Sequence, residues 1–360
     1  MGLRIYCPEC GKSYEPHLRP PRCLCGKPLS STTDWQTLDM DSSKRGIFRY
    51  SSALPLVNED LSMGEGGTPL IPALGRENLF LKLDFLCPTG SFKDRGAVMV
   101  VADAVEAGCD SLVIDSSGNA GASVAAYASR AGIKAHVVVP KGTSEVKKKQ
   151  IAAFGACVVE VPGGRSDAAK KGLEMAEKMF YASHVWNPLF LEGTKTVAFE
   201  IWEQLGGVAP DAVLSPAGNG TMLLGLYKGF RELMKRCLTK RMPKIFAVQA
   251  EQCSPLYNAF TRQRKRIGKT IAEGIAVSDP PRLNEMLSAV RTTGGRVVVV
   301  SEEKIAAEQV RLAKEEGLLV EPTSAVAPAA EGILREKGLI TASDLVVIPL
   351  TGSGMKKPPA

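Results

Sequence analysis

The sequence predicts an α/β protein of two domains, built on parallel sheets flanked by helices, with a small cysteine-rich appendage at its N-terminal end. Three observations carry that prediction. From Leu79 onward, short β-branched runs alternate with helical apolar patterns, as expected of strands buried on both faces by crossover helices. Glycine, asparagine and hydroxyl residues gather directly after several of these runs, where open parallel sheets bind ligands. The 360 residues, 44% hydrophobic and 23% charged, suffice for two cores of ordinary globular composition.

Taken in order, the chain begins with Cys7-Pro8-Glu9-Cys10 and Cys23-Leu24-Cys25. Four thiolates on two short turns match a tetrahedral zinc ion, and a segment of roughly 30 residues holds no core without one. Four sulfur ligands leave no open position, so the expected metal is structural. The single residue between Cys23 and Cys25 is shorter than the commoner spacing, and His17 is read as a surface residue. Residues 30–57 are polar and aperiodic, a connector anchored by Trp35, Phe48 and Tyr50. Strands are expected at 79–85, 111–115, 135–140, 157–162, 212–215, 244–250, 296–301 and 345–350, and helices at 97–107, from 124, at 222–233 and from Pro322.

Cys87, Cys109, Cys157, Cys237 and Cys253 are isolated and do not form a disulfide framework, which suits a reducing cytoplasm. No run has transmembrane length, and residues 1–30 lack a signal-peptide core. The formal charge of +7 is scattered; Lys147-Lys148-Lys149 and the basic stretch 262–269 read as solvated faces, so neither a nucleic-acid nor a membrane partner is expected.

The chemistry concentrates in four segments. In Pro88-Thr89-Gly90-Ser91-Phe92-Lys93-Asp94-Arg95-Gly96, a turn delivers an amine to the start of a helix, where anions collect. A lone lysine there would be a solvated first-turn residue; beside the other three segments it is placed to bond the aldehyde of pyridoxal phosphate. Ser116-Ser117-Gly118-Asn119 follows a strand and opens a helix, so Asn119 can donate to a ring oxygen while the helix start receives a carboxylate. Pro216-Ala217-Gly218-Asn219-Gly220-Thr221 repeats that arrangement with N–H groups free to converge on a phosphate, though it is neither a Walker loop nor a dinucleotide fingerprint. Thr351-Gly352-Ser353 follows the last strand and offers a hydroxyl to a heterocyclic nitrogen.

With Glu65-Gly66-Gly67-Thr68-Pro69-Leu70, Ala272-Glu273-Gly274-Ile275, Pro280-Pro281-Arg282 and Glu321-Pro322-Thr323-Ser324-Ala325, these segments over about residues 60–357 resemble, in order, the fold type II pyridoxal phosphate enzymes, the tryptophan-synthase-β-like family. Within it the match is nearest to the threonine synthases. The resemblance implies a ribbon at 1–32, a large cofactor-binding domain at 33–97 and 191–360, and a smaller inserted α/β domain at 98–190. It implies Lys93 as the cofactor-holding catalytic residue. Asn119 would meet the ring oxygen, Gly218, Asn219, Gly220, Thr221 and Met222 the cofactor phosphate, and Thr351 the ring nitrogen. Lys82, Ser91, Ser116 and Ser117 would bind a small anionic amino-acid substrate, in a homodimer.

The implied reaction turns O-phosphohomoserine and water into threonine and phosphate. Where many relatives carry a basic residue before Leu-Glu-Gly, this chain has Phe190, so Lys82, Ser91, His184, Asn187 and Lys195 become candidates to hold the substrate phosphate. Three readings stay open beside the first: a cysteate-synthase-like replacement on O-phosphoserine, a serine or threonine dehydratase, and a nucleic-acid-binding ribbon on a degenerate enzyme fold.

Overall fold

The computed structural model describes residues 2–264 and 267–356, without the side chains of His17 and Lys356. The surface reading of His17, and Lys265 and Arg266 within the basic stretch, therefore lie outside the described residues. Contacts divide the chain into two units, Met1–Gly66 with Lys93–Thr194, and Gly67–Phe92 with Lys195–Ala360. Residues 33–66, expected with the large domain, fall in the first unit, because Ile47, Phe48, Leu54 and Leu61 are buried in its main hydrophobic cluster.

The first unit holds a parallel sheet in the order Cys157–Val161, Lys134–Pro140, Ser111–Ile114, Phe180–Tyr181. Its central strands are near-continuous apolar runs, Leu112-Val113-Ile114 and Val137-Val138-Val139, all fully buried, as helices on both faces require. The helix Lys93–Glu106 packs an unbroken buried run from Ala97 to Ala102 into the same cluster, each valine contributing about 1.5–3 kcal/mol. The N-terminal segment forms an antiparallel sheet in the order Ser13–Tyr14, Gly2–Tyr6, Ser30–Asp34, with a cluster of Ile5, Cys7, Cys23 and Leu29 against which Leu3 and Tyr14 pack. So small a cluster buries little apolar surface of its own.

In the second unit six strands run Val297–Val300, Lys244–Ala250, Ala212–Pro216, Val346–Pro349, Leu79–Lys82, Leu70–Pro72. The first five are parallel and the edge strand Leu70–Pro72 is antiparallel. Parallel pairing of Ala212–Pro216, Val346–Pro349 and Leu79–Lys82 opens the loops after them side by side, at the carboxyl ends of the strands. Among the described residues no helix is long and apolar enough to cross a membrane.

Candidate active site

In the first unit Lys93 is the first residue of its helix and is half-buried. Its Nζ stands 5.5 Å from the centroid of the Phe190 ring. Phe190 is fully buried, meets His184 edge-on at 5.9 Å between centroids, and fills the space over Gly96, where an added Cβ would come within 2.5 Å of the ring. An aromatic wall thus flanks the amine, at a position where sequence comparison suggested a cation. Asn187 takes no part in such a wall. Its amide donates to Asp103 Oδ2 at 2.9 Å and its carbonyl accepts the Leu189 N–H at 2.9 Å, while Arg19 pairs with the same Asp103 carboxylate.

The half-buried loop of Ser116, Ser117 and Gly118 leads into the helix Asn119–Arg130, so Asn119 heads that helix as expected. Just before it, Asp115 accepts a hydrogen bond from the Tyr181 hydroxyl at 2.8 Å. Burial outweighs that bond and raises the Asp115 carboxyl to about 6, and burial beside the carboxylate pushes the Tyr181 phenol up. Sequence reading had passed over this pair, because Tyr181 belongs to a two-residue strand with no periodicity to detect.

In the second unit the loop Ala217 to Gly220 joins the strand Ala212–Pro216 to the helix Thr221–Lys235. Gly220 has φ +84°, and a Cβ on Gly218 would lie 2.8 Å from the Ile275 backbone, so side chains are disfavoured at those two positions of a turn that leads into a helix. The preceding Gly274 is held in turn by Thr323, whose Oγ1 accepts its N–H at 3.0 Å. The next residue, Ser324, sits against Thr351: its Oγ accepts the N–H groups of Thr351 at 3.0 Å and Gly352 at 2.7 Å. Glu321-Pro322-Thr323-Ser324-Ala325 therefore supports two separate loops with adjacent side chains. In the sequence it was visible only as a resemblance.

The turn before Lys93 is tied to the same region. The Phe92 N–H donates to the Thr351 carbonyl at 3.0 Å, and the Ser353 N–H to the Gly90 carbonyl at 2.9 Å. Ser91, bridged by its backbone to Gly352, is fully buried with a hydroxyl that has no partner among the described residues. Buried hydroxyls in that state are uncommon.

Lys82 stands elsewhere than expected. Its ammonium, fully buried, donates to the Thr68 carbonyl at 2.5 Å, Glu200 Oε2 at 2.7 Å and Gln204 Oε1 at 2.9 Å. Three acceptors use all three donors, so Lys82 holds the Gly67-Thr68 segment in place and has none left for a substrate. Glu200 completes the clamp by accepting the Gly67 N–H at 2.8 Å. Lys195 is likewise fully buried, with its Nζ 2.8 Å from Glu232 Oε2.

At the N-terminal end the Sγ atoms of Cys7, Cys10, Cys23 and Cys25 lie within 4.8 Å of one another, with Cys7 to Cys25 and Cys10 to Cys23 at 3.5 Å. Tetrahedral zinc with sulfur at about 2.3 Å separates its ligands by about 3.8 Å, so the set fits that ion. Burial pushes the Cys7 thiol up to about 12; for Cys23 burial is outweighed by hydrogen bonds, first from Tyr14, which bring it down to about 6.

Residues 61–352 match the family profile of the pyridoxal-phosphate dependent enzymes. The chain is 36% identical to the threonine synthase of Methanocaldococcus jannaschii, over 98% of this chain and 93% of that protein. It is 38% identical to the threonine synthase of a Bacillus species, over 87% and 91%. Among solved structures, an O-ureido-L-serine synthase superposes with a TM-score of 0.71 at 24% identity, covering 84% of this chain and 93% of that one, which shows the fold alone.

Proposed function

The chain belongs to the pyridoxal-phosphate dependent enzyme family, and from that premise we propose that it is a lyase that converts O-phosphohomoserine and water to threonine and phosphate. The observation that carries the reading is identity of 36% to a threonine synthase over 98% of the chain, with Lys93 and all the loops described above inside the match. The residues fit the cofactor: an amine at a helix start, a glycine-containing turn heading the helix Thr221–Lys235, and a buried hydroxyl at Thr351. When bound, pyridoxal phosphate supplies the electron sink that lets a proton leave the α-carbon.

The chain's own groups do the rest. Lys93 holds the cofactor and moves the proton at the substrate's α-carbon. Asn119 donates to the ring oxygen, residues 218–222 receive the cofactor phosphate, and Thr351 faces the ring nitrogen. Ser116, Ser117 and the N–H groups after them take the substrate carboxylate, and the unpartnered Ser91 hydroxyl is a donor for the substrate. Lys82, Asn187 and Lys195 leave the list of phosphate ligands, because each is engaged inside its own unit.

Phe190 favours a second reading. With an aromatic wall beside Lys93 and those cations and amides occupied, a serine or threonine dehydratase, which needs no phosphate clamp, is the alternative to separate. Purified enzyme incubated with O-phosphohomoserine should release phosphate and threonine together. Turnover of threonine to 2-oxobutyrate with no action on O-phosphohomoserine would replace the first reading by the second, and cysteate from O-phosphoserine and sulfite would replace both.

The proposal extends to a structural zinc ion at Cys7, Cys10, Cys23 and Cys25, and to a homodimer in the cytoplasm. Metal analysis should find about one zinc per chain, and Cys7→Ser should remove it and open the N-terminal sheet to protease while the cofactor stays bound. Full loss of metal with unchanged protease resistance would contradict the structural role; light scattering checks the dimer.

A further inference from the structure

We infer that the N-terminal sheet is a positioning element for Lys93: Ser31 and Arg19 lock the short helix Leu189–Thr194 against the first turn of the Lys93 helix, and the four cysteines hold Ser31 and Arg19 in place. All of these residues belong to the first unit. The inference rests on the cofactor reading above only for what Lys93 does.

The helix Leu189–Thr194 meets the Lys93 helix without slack. Phe190 and Gly193, three positions apart, share one face of it. The Phe190 ring fills the space over Gly96 and stands 5.5 Å from Lys93 Nζ, and a Cβ on Gly193 would come within 1.8 Å of the Arg95 carbonyl oxygen. Backbone therefore packs directly on backbone. No flexible side chain lies between to absorb a movement, so a displacement of the short helix is passed to the turn that begins at Lys93.

Two contacts from the N-terminal sheet fix that helix. The Ser31 hydroxyl donates to Glu192 Oε1 at 2.7 Å and has the Pro188 carbonyl at 3.3 Å, with Ser31 and Glu192 buried at 1% and 0% exposure. A carboxyl so deeply buried loses heavily when such a donor is removed. Arg19 pairs with Asp103, a residue of the Lys93 helix itself. The same Asp103 oxygen accepts the Asn187 amide at 2.9 Å, and Asn187 Oδ1 accepts the N–H of Leu189, the first residue of the short helix, at 2.9 Å. Ser31 thus grips the middle of the helix and Arg19 steadies its cap.

Both contacts depend on the cysteine cluster. Ser31 pairs in register with Ile5, two positions before Cys7, and Arg19 lies four positions before Cys23. Ile5, Cys7, Cys23 and Leu29 form one small cluster, and the four Sγ atoms lie within 4.8 Å of one another. An ion on those four thiolates fixes the strand pair that carries Ser31 and the turn that follows Arg19. Its loss frees both, and the helix beside Lys93 loosens with them.

The test follows hydrogen exchange in the full-length protein supplied with zinc, at Leu189–Thr194 and, as a reference in the same unit, at the strand Lys134–Pro140. Ser31→Ala, Arg19→Met and removal of metal from the wild type by a chelator should each speed exchange at Leu189–Thr194 by about tenfold or more and leave Lys134–Pro140 unchanged. With pyridoxal phosphate bound, the same preparations should keep the cofactor but show a shifted visible band. Their kcat should fall about tenfold with KM within about twofold, since the reacting amine is misplaced while substrate contacts remain. Zinc returned to the chelated wild type should reverse every change. Unchanged exchange at Leu189–Thr194 overturns the inference, and so does equal acceleration at both segments, which would make the N-terminal sheet a general stabiliser. Faster exchange with an unmoved band and kcat overturns it too, by separating the helix from Lys93. Where Ser31→Ala does not fold, Arg19→Met and the chelated wild type decide. Failure of the wild type to take up cofactor at Lys93 would instead sink the functional reading and leave the exchange result standing.

Discussion

Lys82 and Lys93 are eleven positions apart in number, both stand beside a strand end or helix start, and both were assigned to the active site from sequence, yet the structure gives them opposite characters. Lys82 is fully buried and its ammonium is saturated by Thr68, Glu200 and Gln204. Lys93 is half-buried, heads a helix, and has an aromatic ring on one flank. A buried lysine whose three donors are all taken acts as a cross-link. An amine that acts as a nucleophile must instead give up its proton before it attacks.

The sharpest way to break that contrast is to remove each amine and compare losses of activity with losses of stability. Lys93→Ala should abolish the cofactor's visible band and lower turnover by at least about 10³-fold, within the range for losing a positioned acid–base group, with little change in melting temperature. Turnover within tenfold of wild type would return Lys93 to the solvated first-turn lysine that its motif alone suggests.

Lys82→Met should do the reverse. It leaves Glu200 buried without its counter-charge, and breaking a buried pair from one side costs about 3–5 kcal/mol. Chemical denaturation should show that loss, while the folded fraction keeps near-normal kcat. Adding Glu200→Gln should recover part of the stability, since no lone charge then remains, although Gly67 loses a charged acceptor. A stable Lys82→Met enzyme with kcat or KM altered a hundredfold would restore Lys82 to the substrate.

What the sequence disclosed and what it hid follow from the range of the interactions involved. The valine-rich strands at 137–139 and 297–300 and the loops after Ile114 and Pro216 are local signals, set by burial on both faces and by the backbone freedom of glycine. The antiparallel edge Leu70–Pro72 and the pair Phe180–Tyr181 are too short to carry a period, and both went unread. The fate of Lys82 was hidden because Glu200 and Gln204 lie 118 and 122 positions along the chain, and no local pattern announces such acceptors. Ser324 was hidden likewise, since its meaning depends on Thr351, 27 positions away. Residue types that suit a cofactor were legible; which of their lone pairs and protons are already spoken for was not.

The smallest expected effect extends the comparison to a half-buried carboxyl for which burial is the largest influence on its titration. Asp115, directly before Ser116, has among the described residues the Tyr181 hydroxyl as its side-chain hydrogen-bond partner at 2.8 Å, and burial raises its carboxyl from 3.8 to about 6. A carboxyl raised by folding holds its proton more tightly in the native state than in the unfolded chain. Below about pH 4 both states are protonated and its contribution is complete; as pH rises toward 6 the unfolded chain releases the proton first and the contribution is lost. At about 1.4 kcal/mol per tenfold in proton affinity, that loss amounts to at most about 3 kcal/mol. Asp115→Asn keeps the size and the acceptor for Tyr181 but removes the titration, so the difference in unfolding free energy between variant and wild type should widen in the variant's favour from pH 4 to 6 and level off above it. A difference that is flat across that window would mean that Asp115 is solvated well enough to behave as an ordinary surface carboxylate, and would leave Lys82 and Glu200 as the stronger case of a charge whose burial matters.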